Sequence, residues 1–140
     1  MTEPILYRID VVPDSATLEA LYRSVGWPQA DTPEDLHAAV ERTGWVATAW
    51  HQDLLVGMAR VFTDFLFVAY FQELLVHPEY QHQGVGKEIL DLYDRTFSGF
   101  PFQVAVTDVE WARQKLSKRG FRTEPDALSR ARPYPAWTKT

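Results

Sequence analysis

Leu75-Val76-His77-Pro78-Glu79-Tyr80-Gln81-His82-Gln83-Gly84-Val85-Gly86-Lys87-Glu88-Ile89-Leu90 joins the end of an apolar run to a glycine-bearing turn and an amphipathic helix. Two glycines at the mouth of a helix let a ligand approach the backbone and leave N–H groups pointing outward. With the positive end of the helix dipole, these donors form a site for phosphate or another anion. Two familiar glycine loops are excluded by residues this stretch lacks. A phosphate-binding Walker A loop needs glycine where Gln81 stands and Ser or Thr where Glu88 stands. A dinucleotide-binding turn starting at Gly84 needs a third glycine in place of Ile89.

The rest of the chain bounds the function. Its 140 residues and 46% hydrophobic content suit one domain, residues 1–140, with a single core. It contains no cysteine, so this chain offers no disulfide, thiolate metal ligand or thiol nucleophile. A net charge of −5 argues against nucleic acid as a partner, whose footprint would be basic. No run reaches the roughly 20 apolar residues of a membrane span, and Met1-Thr2-Glu3-Pro4 does not open a signal peptide. The expected setting is cytoplasmic, with no membrane partner.

Around the glycine loop the elements follow from periodicity and punctuation. Leu6–Val12 reads as a first strand. Asp14 or Ser15 caps a helix with Leu18, Leu21, Tyr22 and Val25 on one face and Gly26 at its end. Thr32-Pro33-Glu34-Asp35 opens a second helix: a capping Thr, Pro in the first turn, then carboxylates. It turns Leu36, Ala39 and Val40 inward and stops at Gly44. Trp45–His51 and Leu54–Phe62 form a hairpin about Gln52-Asp53, and a longer strand spans Phe65–Val76. The helix Val85–Phe97 carries Ile89, Leu92, Tyr93 and Phe97 at helical spacing. Phe102–Val106 is a short strand, Asp108–Lys118 a helix before Gly120, and Leu128–Arg132 a short last strand in a proline-restricted tail.

Gln81-His82-Gln83-Gly84-Val85-Gly86 resembles the acyl-CoA-binding motif Gln/Arg-x-x-Gly-x-Gly/Ala of the GNAT acetyltransferase superfamily. Val76-His77-Pro78-Glu79-Tyr80 matches the usual Val-x-Pro-x-Tyr lead-in, and Gly120-Phe121 the Gly-Phe that closes the last helix. The element order is also the one expected of such a domain. The resemblance implies an α/β (α+β) fold: a central mixed, mostly antiparallel sheet flanked by about four helices. That sheet would splay between strands four and five, here Phe65–Val76 and Phe102–Val106, to admit acyl-CoA.

Carried over residue by residue, the resemblance puts the CoA pyrophosphate on the N–H groups of Gln81, His82, Gln83, Gly84, Val85, Gly86 and Lys87. Leu75 and Val76 would offer backbone groups to the pantetheine arm. The Lys87 side chain either helps hold phosphate or is a solvated lysine of the first turn. Many members carry a proton-donating tyrosine four residues before the glycine of Gly-Phe; here that residue is Leu116. Val109, Ala112 and Leu116 share a helix face by spacing and would pack against the cofactor without an acid. Tyr134 and Tyr70 are the other tyrosines weighed as donor. The histone-type branch has a glutamate where this chain has Tyr70, which argues against a histone-like mechanism.

A primary ammonium of pKa ~10.4 leaves only about one amine in two thousand nucleophilic at neutral pH. Glu73, a lone charge in an apolar run beside the expected splay, is the candidate base; its alternative is an ion pair with Arg60. Trp27 and Tyr70 are candidate substrate-wall residues within an aromatic half that also holds Tyr22, Trp50, Phe65, Phe67 and Phe71. Asp64 and Glu73 could attract a cationic acceptor. His77 and His82 lack the spacing of a metal pair, so no metal is expected. The reading is an N-acetyltransferase using acetyl-CoA and a small primary amine in a ternary complex. A non-catalytic acyl-CoA-binding regulatory module is the alternative, and exposed sheet edges make a homodimer conceivable.

Overall fold

The computed structural model describes residues 3–105 and 110–121. Five strands form one sheet in the order β1-β2-β3-β4-β5. They are β1 Ile5–Arg8, β2 Gly44–His51, β3 Leu54–Thr63, β4 Val68–Val76 and β5 Phe102–Ala105. The first four pair antiparallel; β5 lies parallel to β4. Helices α1 Ser15–Ser24 and α2 Pro33–Glu41 cover one face, α3 Val85–Phe97 the other, and α4 is Glu110–Lys118. This is the mixed α/β sheet expected from the sequence.

Each face buries its own core. Leu18, Leu21, Tyr22, Leu36 and Val40 of α1 and α2 pack on Val46, Met58 and Leu75. On the opposite face, Ile89, Tyr93 and Phe97 of α3 pack on Trp45, Ala59, Val61, Phe71 and Leu74. Gly57 on β3 allows this approach. A Cβ there would lie 2.8 Å from Val85 Cγ1 and 3.2 Å from Ile89 Cδ1, both buried. Only the missing side chain lets the start of α3 settle on the sheet.

Among the described residues, pairing between β4 and β5 runs from Val68↔Phe102 to Phe71↔Ala105, while β4 continues to Val76. Between β3 and β4, Arg60 faces Glu73 but Val61 faces Phe71, so Gln72 has no partner on β3. This bulge resets the alternation. Leu74 and Val76 join the α3 core, whereas Glu73 and Leu75 turn toward α1.

Several boundaries differ from the sequence reading. The first strand ends at Arg8, because the chain bends at Ile9 and Asp10, where Asp10 pairs back to Arg8 at 3.1 Å. Phe65, Leu66 and Phe67 lie outside β4. Asp64 Oδ1 accepts the N–H groups of Leu66, Phe67 and Val68 at 2.8–3.0 Å, closing a side-chain-built turn in which Phe65 has φ 58°. Those backbone donors hold the Asp64 carboxyl below its ordinary range. Thr32 precedes α2 but makes no side-chain capping bond, and Ala39 is exposed rather than inward. A 3-10 turn, Pro28–Asp31, joins α1 to α2. The expected strand Leu128–Arg132 and residues Val106, Val109 and Tyr134 lie outside the described residues.

Candidate active site

The loop between β4 and α3 is built largely by its own side chains. His77 Nδ1 accepts the Glu79 N–H at 3.1 Å, and Gln83 Nε2 donates to the Glu79 carbonyl at 2.9 Å. Gln81 Nε2 donates to the Val76 carbonyl at 3.0 Å, tying the loop to the last residue of β4. Gly84 is the N-cap of α3 in the left-handed region, φ 88°, and no side chain caps the helix. The N–H groups of Val85, Gly86 and Lys87, in the first turn, are therefore left for an external acceptor. Space above Gly84 is open to at least 4 Å.

These donors lie beside a cleft lined by Val76, Tyr80, Gln81, His82, Gly84, Gly86, Lys87, Trp111 and Lys115. The cleft gathers most of the loop residues singled out from the sequence. Leu75 is buried on the α1 side, and the Val85 side chain is buried against the α3 core. Lys87 reaches Asp91 Oδ2 at 2.9 Å along its own helix. Tyr80 closes one side, its hydroxyl 2.6 Å from His51 Nδ1. The cradle fits a phosphate-bearing ligand: an uncapped helix start, open space at Gly84, and a groove leading along α4.

Helix α4 divides its residues between the core and the cleft. Ala112 and Leu116 are 3% and 5% exposed, and Leu116 belongs to the core on the α3 side. Trp111 and Lys115, one turn apart, line the cleft instead. Trp111 and Ala112, like Lys115 and Leu116, stand one residue apart, about 100° of helix rotation. Trp111 lies so close to α3 that a Cβ on Gly86 would sit 3.4 Å from Trp111 Cζ3. Arg119 holds this arrangement by pairing with Asp91 at 2.9 Å and Asp94 at 2.5 Å. Leu116→Tyr is accordingly expected to overpack the core and cost about 1–3 kcal/mol, without raising turnover. Denaturation and CoA release measured on one sample test both halves.

Glu73 occupies the ion-pair alternative. Its Oε2 accepts from Arg60 Nε at 3.0 Å and its Oε1 from Arg60 Nη2 at 3.1 Å. The Tyr22 hydroxyl also donates to Oε2, and Gln29 Nε2 donates to Oε1 at 3.1 Å. Arg60 in turn donates from Nη1 to Thr43 Oγ1 at 3.0 Å. The side chains of Arg60 and Glu73 are only 8% and 3% exposed. Burial, and then the Glu73 charge, push the Tyr22 phenol well above its ordinary value, so it stays a donor. With both oxygens engaged, Glu73 has the geometry of a tether between β4, α1 and the 3-10 turn rather than of a free base.

The two substrate-wall candidates belong to separate aromatic pairs. Trp27 meets Tyr22 edge-on at 5.9 Å, and Tyr70 meets Phe62 at 6.1 Å. Asp64 and Glu73, weighed as attractors of a cation, are both engaged by donors of the protein itself. Sequence reasoning missed Trp111 and Lys115 at the cleft, and missed Gln29 and the Tyr22 hydroxyl as partners of Glu73. The i,i+4 spacing of Trp111 and Lys115 was the available signal; nothing local marked Tyr22 or Gln29.

A model of the acetyltransferase (GNAT) family matches residues 12–100. Histone acetyltransferase TAP1 of Glycine max is 34% identical over 95 residues, 59% of this chain and 40% of that protein. GCN5-related N-acetyltransferase 2, chloroplastic, of Arabidopsis thaliana is 30% identical over 111 residues, 65% and 43% of the two chains. The chain thus spans less than half the length of these curated relatives. Among solved structures, an acetyltransferase of the GNAT family from Streptococcus pneumoniae TIGR4 has a TM-score of 0.71 at 25% identity, covering 94% of each chain. An aminoglycoside N-acetyltransferase in complex with CoA shares the fold, with a TM-score of 0.63 at 17% identity over 87% and 90% of the chains. The matched stretch holds both β4 and the glycine loop that opens α3, and the chain belongs to the acetyltransferase (GNAT) family.

Proposed function

We propose that this chain transfers an acetyl group from acetyl-CoA to a primary amine of a small molecule by direct attack in a ternary complex. The observation that carries the reading is the uncapped start of α3 opening on a groove beside the end of β4. Backbone N–H groups of Val85, Gly86 and Lys87 would hold pyrophosphate, and the end of β4 would carry the pantetheine arm beside Leu75 and Val76. The neutral amine attacks the thioester carbonyl carbon; the C–S bond breaks, CoA leaves as thiolate, and the amine's proton passes to solvent. A thiol of pKa ~8.5 is a moderately good leaving group as its anion, so the buried Leu116 at the family's usual acid position is compatible with turnover.

We place the acceptor, a small molecule with an apolar or aromatic group beside its amine, near Tyr70. Tyr70 and Phe62 are partly exposed there, and the carboxylates of Asp64 and Glu73 are already engaged. A cytoplasmic setting and a single 1–140 domain remain part of this proposal. The alternative, a non-catalytic acyl-CoA-binding module, draws on Leu116 alone. Release of CoA thiol with a panel of primary amines tests the choice. Amine-dependent release supports transfer; binding of acetyl-CoA with no release across the panel supports the module.

A further inference from the structure

Three cations stand around the cofactor groove, and two have acidic partners. Lys87 is held by Asp91, and Arg119 by Asp91 and Asp94. Lys115 lines the groove and forms no ion pair among the described residues. We propose that Lys115 binds the 3′-phosphate of CoA, with the Trp111 indole beside it as the wall along which the adenosine lies. This rests on the acetyl-CoA reading above and deepens it.

The argument is one of charge and placement. The first turn of α3 can neutralise one phosphate-bearing group, the pyrophosphate. A phosphate monoester adds about −1.5 to −2 at pH 7, and it must approach a chain whose net charge is −5. A cation lining the groove would offset that repulsion. Helix α4 and the residue after it supply Arg113, Lys115, Lys118 and Arg119 against Glu110 alone. Of these, Lys115 is the one lining the groove. Its position is defined because Arg119 clamps α4 to α3, bonding to Asp91, to Asp94 and to the Lys87 carbonyl at 3.4 Å. Trp111 precedes Lys115 by one turn on the same face, and an indole plane accepts a purine in stacking.

Titration calorimetry with CoA and with dephospho-CoA, which differ only in the 3′-phosphate, tests this on the wild type, Lys115→Gln and Lys115→Arg. Lys115 is exposed, so the variants should melt with the wild type. The expected result is about five- to tenfold tighter binding of CoA than of dephospho-CoA by the wild type. Lys115→Gln should erase the preference with dephospho-CoA affinity unchanged, Lys115→Arg should keep it, and added salt should shrink it. Equal affinity of the wild type for both ligands would overturn the assignment. A Lys115→Gln variant weakened equally toward both would also overturn it, by placing the lysine on the pyrophosphate. If the wild type binds neither ligand, the acetyl-CoA reading itself fails, and this inference with it.

Discussion

Glu73→Gln is expected to lower folding stability by about 3–5 kcal/mol, the usual cost of leaving one member of a buried ion pair without its partner. The Arg60 guanidinium would keep its charge while losing a bidentate acceptor, in a site where its side chain is 8% exposed. The new amide nitrogen would also face donors from Arg60, Tyr22 or Gln29, where a carboxylate now accepts from all three. Urea unfolding measures the loss through its midpoint. Replacing both partners, Arg60→Met with Glu73→Leu, should recover much of it, since no buried charge then lacks a counterpart. Activity separates the tether from the base. A tether leaves the pH profile of kcat/KM in place for the folded fraction. A loss of ~10²–10⁴ in rate together with disappearance of the acidic limb would make Glu73 the proton acceptor.

Gly86→Val should abolish stabilisation by acetyl-CoA. In the wild type, ligand at about 100 times its Kd adds about 2.7 kcal/mol by mass action. A Cβ at position 86 would lie in contact with the indole, 3.4 Å from Trp111 Cζ3, and 3.9 Å from Val76 Cγ2, so the two further methyls of valine would press on these groups or extend into the groove they line. Thermal melts with and without acetyl-CoA read the effect. A ligand-induced rise equal to that of the wild type would locate the phosphate site away from this loop.

The features that the amino-acid order determined are those set within a few residues of one another. Asp14 caps α1 through the Thr17 N–H at 2.8 Å, as a short acidic side chain before an apolar helix should. The loop before α3 and the span Val85–Phe97 follow from the proline, the glycine at φ 88° and the helical spacing of Ile89, Tyr93 and Phe97. Gly120-Phe121 ends α4 with the Phe121 N–H bonded to the Leu116 carbonyl at 3.1 Å, again a local motif. The family motif falls in this class, so the sequence carries both the fold and the glycine loop that borders the groove.

What tertiary structure alone decided concerns which way a side chain faces once distant elements meet. By simple alternation Glu73 would share a face with Phe71, against α3. The bulge at Gln72 turns it to the other face, opposite Arg60 and within reach of Tyr22 and Gln29. No residue in the run Phe71–Val76 marks that extra position, because a bulge is set by the register of the neighbouring strand. Helix α4 shows the same limit. Spacing defines an apolar face but not its partner, and clamping by Arg119 on α3 puts Ala112 and Leu116 in the core and Trp111 and Lys115 at the groove. Periodicity is a property of one segment, whereas orientation follows from ion pairs and close packing between segments far apart in sequence.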